Sequence, residues 1–221
     1  MRLYGTPPTR ATRVLWVLRE LGLDCEVCFV SLRRGDHRKP EFLALNPAAR
    51  VPVLVDGDVV VTESAAIALY LAEKYPEKGL IPTQLPERAQ MYRWLFFLTS
   101  EIEGPLERME RHTSLYPEDQ RRPEEVALAR KECQEMCAVL EKHLHGRRYL
   151  VGDRLSIADL VAAYTLDWAN EVNLLDDARG LREYRQKMYA LPSAPPTIAQ
   201  AFAALQSGES IDWLKRSDFI R

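Results

Sequence analysis

The 221-residue chain sets thirty Lys and Arg against thirty-two Asp and Glu, for a net charge of −2, and is 47% hydrophobic. That length and apolar content fill one large domain or two small ones with a proper core. The balanced charge, with no basic stripe interleaved with aromatics, argues against nucleic acid as a partner, and the lack of any apolar run of about 18 residues argues against a membrane span. The opening MRLYGTPPTR has no apolar stretch of the kind a secretion signal carries, so a soluble, cytoplasmic protein is expected.

RLY reads as a short strand, and TRATRVLWVLRELGL as a helix with Val14, Leu18 and Leu21 on one face. Gly22 stands where a left-handed residue closes such a helix. A second strand is expected from Cys25 to Leu32, then a polar loop and a short helical piece, PEFLALNP. VPVLVDGDVVV reads as an antiparallel hairpin with Asp56-Gly57 as its two-residue turn. A helix from about Ser64 to Tyr75 follows, ended by Pro76, and the order is β-α-β-α-β-β-α. Pro52 raises a question inside this pattern. Proline removes a ladder donor, so a valine-rich strand that carries one should reserve its outer side for something else.

Beyond EKGLIPTQLPE the strand signal stops. Met91, Leu95, Leu98, Ile102, Leu106 and Met109 step by threes and fours along a long helix, in which Gly104-Pro105 predicts a kink. SIADLVAAYTLDWAN is apolar on nearly every face, as a helix at the centre of a bundle would be, and Ser156 with Asp159 forms a capping-box pattern at its start. The fold class is therefore α/β followed by all-α, with a first domain over residues 1–77 and an all-helical one over 87–221. Cys25 and Cys28 fall in a strand and point to opposite faces, while Cys133 and Cys137 join Val126, Ala129, Leu140 and Leu144 on a buried helical row. No histidine pair completes a zinc-ligand spacing with either pair. The cysteines read as small reduced hydrophobes, and no metal is expected.

Four stretches, LYGTPPTRATRVLWVLRELGL, NPAARVPVL, VVVTESAAIALYL and LSIADLVAA, taken in this order around this layout, resemble the cytosolic glutathione transferases over essentially the whole chain. The resemblance implies a thioredoxin-like N-terminal domain that binds glutathione as co-substrate, and an all-helical C-terminal domain that contributes a hydrophobic substrate site. It implies a cis Val51-Pro52 bond that turns the Val51 N–H and C=O outward, where the cysteinyl backbone of glutathione pairs with them like an added strand. Glu63 and Ser64 match the residues that receive the γ-glutamyl end. A helix N-terminus offers N–H groups and partial positive charge to its carboxylate, and a side-chain carboxylate serves its ammonium. The plainer alternative is that Thr62 or Ser64 only caps the helix. Arg50, and His37 in GDHRKPEF, match positions near the glycyl carboxylate, with a solvated loop residue as the alternative for each.

In this family the thiol of bound glutathione is activated by a donor at the start of the first helix, and the thiolate is the nucleophile. GTPPTRATR contains no cysteine, and Tyr4 lies in the first strand. T-R-A-x-R-V-L-W resembles S-R-A-x-R-L-L-W of serine-type relatives, which places Thr9 on the serine and makes it the helix cap as well. Thr6, Arg10 or a backbone N–H stay open, the last two because another alignment puts Pro8 at the donor position. The loop at residues 6–10 and the kinked helix are expected to wall a site for a small hydrophobic electrophile, with Met109, His112 and Tyr116 as its floor or as ordinary bundle packing. The implied function is glutathione transfer. The alternatives are a glutathione-dependent disulfide reductase or peroxidase without a protein cysteine, and a non-catalytic binding module, although retention of Val51-Pro52 and Glu63-Ser64 speaks against the module. The resemblance also implies a homodimer through faces near Ala66, Tyr70, Tyr92 and Trp94.

Overall fold

In the computed structural model, which describes residues 1–207 and 216–218, the apolar runs of the first eighty residues become a sheet flanked by helices. Strand β1 (Arg2–Gly5) leads to α1 (Ala11–Leu21), then β2 (Glu26–Phe29), α2 (Pro40–Leu43), β3 (Val53–Asp56), β4 (Val59–Thr62) and α3 (Ser64–Lys74). β1 pairs parallel with β2 and antiparallel with β3, and β3 pairs antiparallel with β4. Leu3, Val14, Trp16, Leu54, Ile67 and Leu71 are fully buried, each contributing about 1.5–3 kcal/mol of hydrophobic stabilisation. Gly22 closes α1 at φ 67, its N–H returning to the Leu18 and Arg19 carbonyls.

Two local expectations shift. The hairpin register pairs Asp56 with Val59, so the turn is Gly57-Asp58 and not Asp56-Gly57. Glycine takes the positive φ of 62 at the first turn position, which leaves the Asp56 carboxylate to receive the Tyr70 hydroxyl at 2.8 Å and the Lys74 ammonium. β3 is also an interior strand, between β4 and β1. Pro52 lies just before it rather than in its ladder, so the missing donor costs the sheet nothing.

The second unit, Leu80–Leu191, contains α4 (Leu85–Phe97), α5 (Glu103–Glu110), α6 (Pro123–Leu144), α7 (Ile157–Glu171) and α8 (Arg179–Tyr189). The row Met91, Leu95, Leu98, Ile102, Leu106 and Met109 is buried throughout. The interruption of this long helix falls at a π-helical turn over Leu98–Ile102, with Pro105 inside the first turn of α5. A proline has no N–H for the carbonyl four residues back, and the turn before it widens. Trp94 is 1% exposed, packed at 4.2 Å on the His143 ring, so it cannot be a surface contact; Phe96, 69% exposed, is the aromatic that α4 presents outward.

The Ser156–Asp159 capping box forms as its spacing predicts, and Asp159 does more than cap. Its carboxylate accepts from Leu150 N at 2.7 Å, Ser156 N and Oγ at 2.8 Å and the Tyr184 hydroxyl at 2.6 Å, tying the loop before α7 to α8. Arg185 reaches buried Asp167 through Nε at 2.8 Å and Nη2 at 2.6 Å.

Among the described residues, 192–207 and 216–218 belong with the first unit, although the sequence pattern places all of 87–221 in the helical domain. Trp16 Nε1 donates to Ser193 Oγ at 3.2 Å, and that hydroxyl donates to Glu20. Here α9 (Ile198–Ser207) follows, and β5 (Arg216–Asp218) pairs parallel with β2, which gives the sheet the order β4-β3-β1-β2-β5 among the described residues. The sequence RSD of β5 carries no strand periodicity that could have announced it.

Candidate functional site

The register gathers the site at one end of the sheet. Tyr4, Val53 and Thr62 lie side by side in β1, β3 and β4. What leaves or enters the sheet there is therefore adjacent: Gly5 and the 6–10 loop after β1, Val51-Pro52 before β3, and Glu63-Ser64 after β4. β2 ends at the same level, since Phe29 pairs with Gly5, so the loop that carries His37 departs from this end too.

Gly5 makes the close approach possible. A Cβ at this position would lie 2.6 Å from Ala11 Cβ and 3.8 Å from Pro52 Cβ, so only glycine lets the first turn of α1 come down beside Pro52. The Val51–Pro52 bond is cis, and so is Pro7–Pro8 in the loop before α1. Asn46, 5% exposed, holds the 46–50 loop by donating Nδ2 to the Arg50 carbonyl at 2.8 Å and accepting Ala48 N at 3.0 Å.

Thr9 sits at the mouth of α1. Its hydroxyl donates to the Thr6 carbonyl and accepts from Ala11 N at 3.3 Å, while Thr12 N bonds the Thr9 carbonyl at 2.9 Å. Arg10 rather than Thr9 is the cap residue by backbone position, so Thr9 supports the helix start from one residue outside it. Thr6 is buried, and its hydroxyl bonds the Pro7 carbonyl at 3.2 Å. The Tyr4 ring faces away, into a cluster with Cys28, Val30, Phe42 and Val53, where burial first and Cys28 second push its hydroxyl above the ordinary range.

Ser64 is 5% exposed and begins α3, yet its hydroxyl does not serve as that helix's cap. It accepts from Arg13 Nη1 at 2.9 Å. Glu63, exposed beside it, has φ 64 and ψ 113, a conformation a non-glycine residue holds at a cost of about 1–3 kcal/mol. Arg13 is fully buried and had no place among the expected site residues. Its signal was faint: an arginine on the row Arg13, Val17, Leu21, whose other members are core.

The His37 loop is anchored by Asp36, 1% exposed, whose carboxylate receives Ser31 N at 3.0 Å and the side chains of Arg34 and Lys39. The Lys39 hydrogen bond foremost, then that of Arg34, holds Asp36 down at about 2 against the opposing effect of burial. His37 is half-buried, its Nδ1 has no hydrogen-bond partner among the described residues, and burial first, then Arg38, pushes its pKa below the ordinary value. Arg50 is exposed after Ala49, which takes φ 55. In the second unit Met109 is 4% exposed, and His112 and Tyr116 form an edge-to-face ring pair at 5.0 Å, with Arg122 N donating to His112 Nδ1 at 3.2 Å. The four cysteines are free, and among the described residues no cluster of three or more His, Cys, Asp or Glu is arranged to hold a metal ion.

The comparisons with known proteins agree with this architecture. The family model for the glutathione S-transferase N-terminal domain matches residues 1–73, and that for the C-terminal domain matches residues 104–192. Glutathione S-transferase 1 of Dianthus caryophyllus is 40% identical over 166 residues, 74% of each chain. Among solved structures, Ure2p in complex with glutathione has a TM-score of 0.80 at 27% identity, covering 87% of this chain and 95% of that one. A glutathione transferase of Burkholderia graminis with two glutathione molecules bound per subunit has a TM-score of 0.77 at 26% identity, covering 87% and 85%. With both of its domains matched by the family models and a relative 40% identical over 74% of each chain, this chain belongs to the glutathione S-transferase family.

Proposed function

We propose that this glutathione transferase binds glutathione along the sheet end formed by Thr9, His37, Arg50, Val51, Pro52, Glu63 and Ser64, and uses Thr9 to hold the cysteinyl sulfur as a thiolate. The observation that carries the reading is Ser64: a buried hydroxyl at the head of an eleven-residue helix, held by Arg13 instead of capping that helix. The γ-glutamyl carboxylate takes the Ser64 hydroxyl and the N–H groups of α3, and the exposed Glu63 carboxylate takes the γ-glutamyl ammonium. The cysteinyl backbone pairs with Val51. Arg50 and His37 serve the glycyl carboxylate.

Thr9 donates its hydrogen to the Thr6 carbonyl, and donation to sulfur requires it to turn from that oxygen while still accepting Ala11 N–H. The thiol proton leaves to solvent, the thiolate forms a carbon–sulfur bond to the electrophile, and the electrophile expels its leaving group or, in an addition, takes up a proton. The His112–Tyr116 ring pair, together with Met109, is the candidate wall for a small hydrophobic electrophile. The free cysteines suit a reducing, cytoplasmic setting. The working form is a homodimer whose contact includes Ala66, Tyr70, Tyr92 and the exposed Phe96, and sedimentation showing only a 25.4 kDa species would contradict that.

Calorimetric titration of glutathione into the wild type and Ser64→Ala tests the site. Saturable binding that the variant weakens by tenfold or so is expected, and equal affinity would remove Ser64 from the site. Conjugation, disulfide reduction and peroxide reduction are then assayed in turn on the same preparation.

A further inference from the structure

We propose that Arg13 is a positioning residue for glutathione, fixing the Ser64 hydroxyl as a donor toward the γ-glutamyl carboxylate. The inference rests on the reading of Ser64 as the seat of that carboxylate.

Arg13 is fully buried on α1, in a row with Val17 and Leu21 that packs in the core of the first unit. A charge in such a place is expensive unless its hydrogens are used. Its Nη1 donates to Ser64 Oγ at 2.9 Å, across fifty-one residues of sequence from α1 to the head of α3. A guanidinium has donors only. Ser64 Oγ must therefore accept from Arg13, and its own hydrogen is directed away from the cation, toward an acceptor. A carboxylate at the N-terminus of α3 is such an acceptor, and it meets the helix N–H groups as well. Without Arg13 the hydroxyl is free to spend its hydrogen on its own backbone, as serines at helix starts do. Lysine does not replace this geometry, because its ammonium is a point charge on a flexible stem.

The test compares the wild type, Arg13→Leu, Arg13→Lys, Ser64→Ala and the double variant Arg13→Leu/Ser64→Ala. Two ligands are used: glutathione, and an analogue in which hydrogen replaces the γ-glutamyl α-carboxylate. Arg13→Leu is expected to raise both the Kd and the KM for glutathione roughly tenfold, with kcat at saturation kept to within about twofold. The double variant should bind glutathione no more weakly than Ser64→Ala alone, since the two residues act through one contact. The analogue should bind the wild type and Arg13→Leu alike. Arg13→Lys should recover only part of the lost glutathione affinity, and this comparison decides the matter if Arg13→Leu does not fold. Additive losses in the double variant, an equal loss with the analogue, or wild-type affinity in Arg13→Lys would overturn the inference. If Ser64→Ala itself binds glutathione as the wild type does, the site reading has failed; if Ser64→Ala is weakened and the Arg13 variants are not, the failure is confined to Arg13.

Discussion

At Thr9 one hydroxyl serves two neighbours, accepting Ala11 N–H and donating to the Thr6 carbonyl. A catalytic role adds the glutathione sulfur as a competitor for the single hydrogen. The carbonyl is a neutral acceptor and the thiolate a charged one, and hydrogen bonds to charged groups are roughly twice as strong, so the sulfur wins when it is ionised. Thr9→Val keeps the shape and removes the hydrogen. It should raise the pKa of the bound thiol by about one unit or more, and cut kcat/KM near neutral pH by about tenfold for each unit. The same variant loses the acceptor for Ala11 N–H, a stability cost of about 1 kcal/mol. Thr9→Ser keeps both bonds and should keep both properties. Thiolate absorbance followed against pH, with glutathione at saturation, separates the effects: an unmoved thiol pKa in Thr9→Val, with only the stability loss, would assign Thr9 to the helix start and pass the activating role to Thr6, Arg10 or a backbone N–H.

At the scale of elements, the site depends on how closely α1 approaches the sheet, and Gly5 sets that distance. Gly5→Ala would force its Cβ to within 2.6 Å of Ala11 Cβ, and since Ala11 has no flexible end to swing aside, the helix start must move. About 1–3 kcal/mol of stability should be lost to overpacking, and kcat/KM should fall because Thr9 travels with the helix. Gly57→Ala is the control, with φ 62 in the hairpin turn and nothing within 4 Å. It should cost about 1–2 kcal/mol from the left-handed backbone and leave kcat/KM alone. Denaturant midpoints and steady-state rates for the two variants check the contrast, and equal activity in both would show that α1 is not distance-limited. Elements of this kind were largely legible in the sequence. The buried rows of α5, α6 and α7, the Gly22 closure and the Ser156–Asp159 box follow from spacing alone, because each is fixed by residues within a turn or two. Features set by distant partners were not. Arg13 meets Ser64 only because α3 comes beside α1, Trp94 is inside because His143 lies over it, β5 exists because β2 offers a free edge, and the hairpin turn moved one residue because register is decided across strands.

The whole molecule carries one depressed histidine in each unit, and both act on acid stability in the same direction. His37 is lowered by burial and then by Arg38, with Asp36 opposing; His143 is lowered by burial and by Arg147 and Arg93, against the hydrogen bond its Nε2 makes to the Leu150 carbonyl at 2.8 Å. A histidine whose folded pKa lies below its unfolded value of 6.5 takes up its proton first in the unfolded chain. Its contribution is therefore complete above that value and is lost as pH falls through the folded one. Asp36, held at about 2, and Asp56, lowered chiefly by Lys74, stay ionised through this window and lose their stabilisation only in stronger acid. Glu171 and Asp159, both raised by burial, act in the opposite sense near the acid edge, so the slope of the wild type alone does not isolate the histidines. The melting temperature should drop by a few degrees between about pH 7.5 and about pH 5, and His37→Gln and His143→Gln should each flatten part of that drop. If the two units melt separately, His143→Gln should flatten only the transition of the helical unit and His37→Gln only that of the sheet unit; if they melt together, both changes appear in one transition and add, because the groups that shift one histidine are not those that shift the other. Variants that keep the full slope of the wild type would show that neither ring is held neutral by the fold.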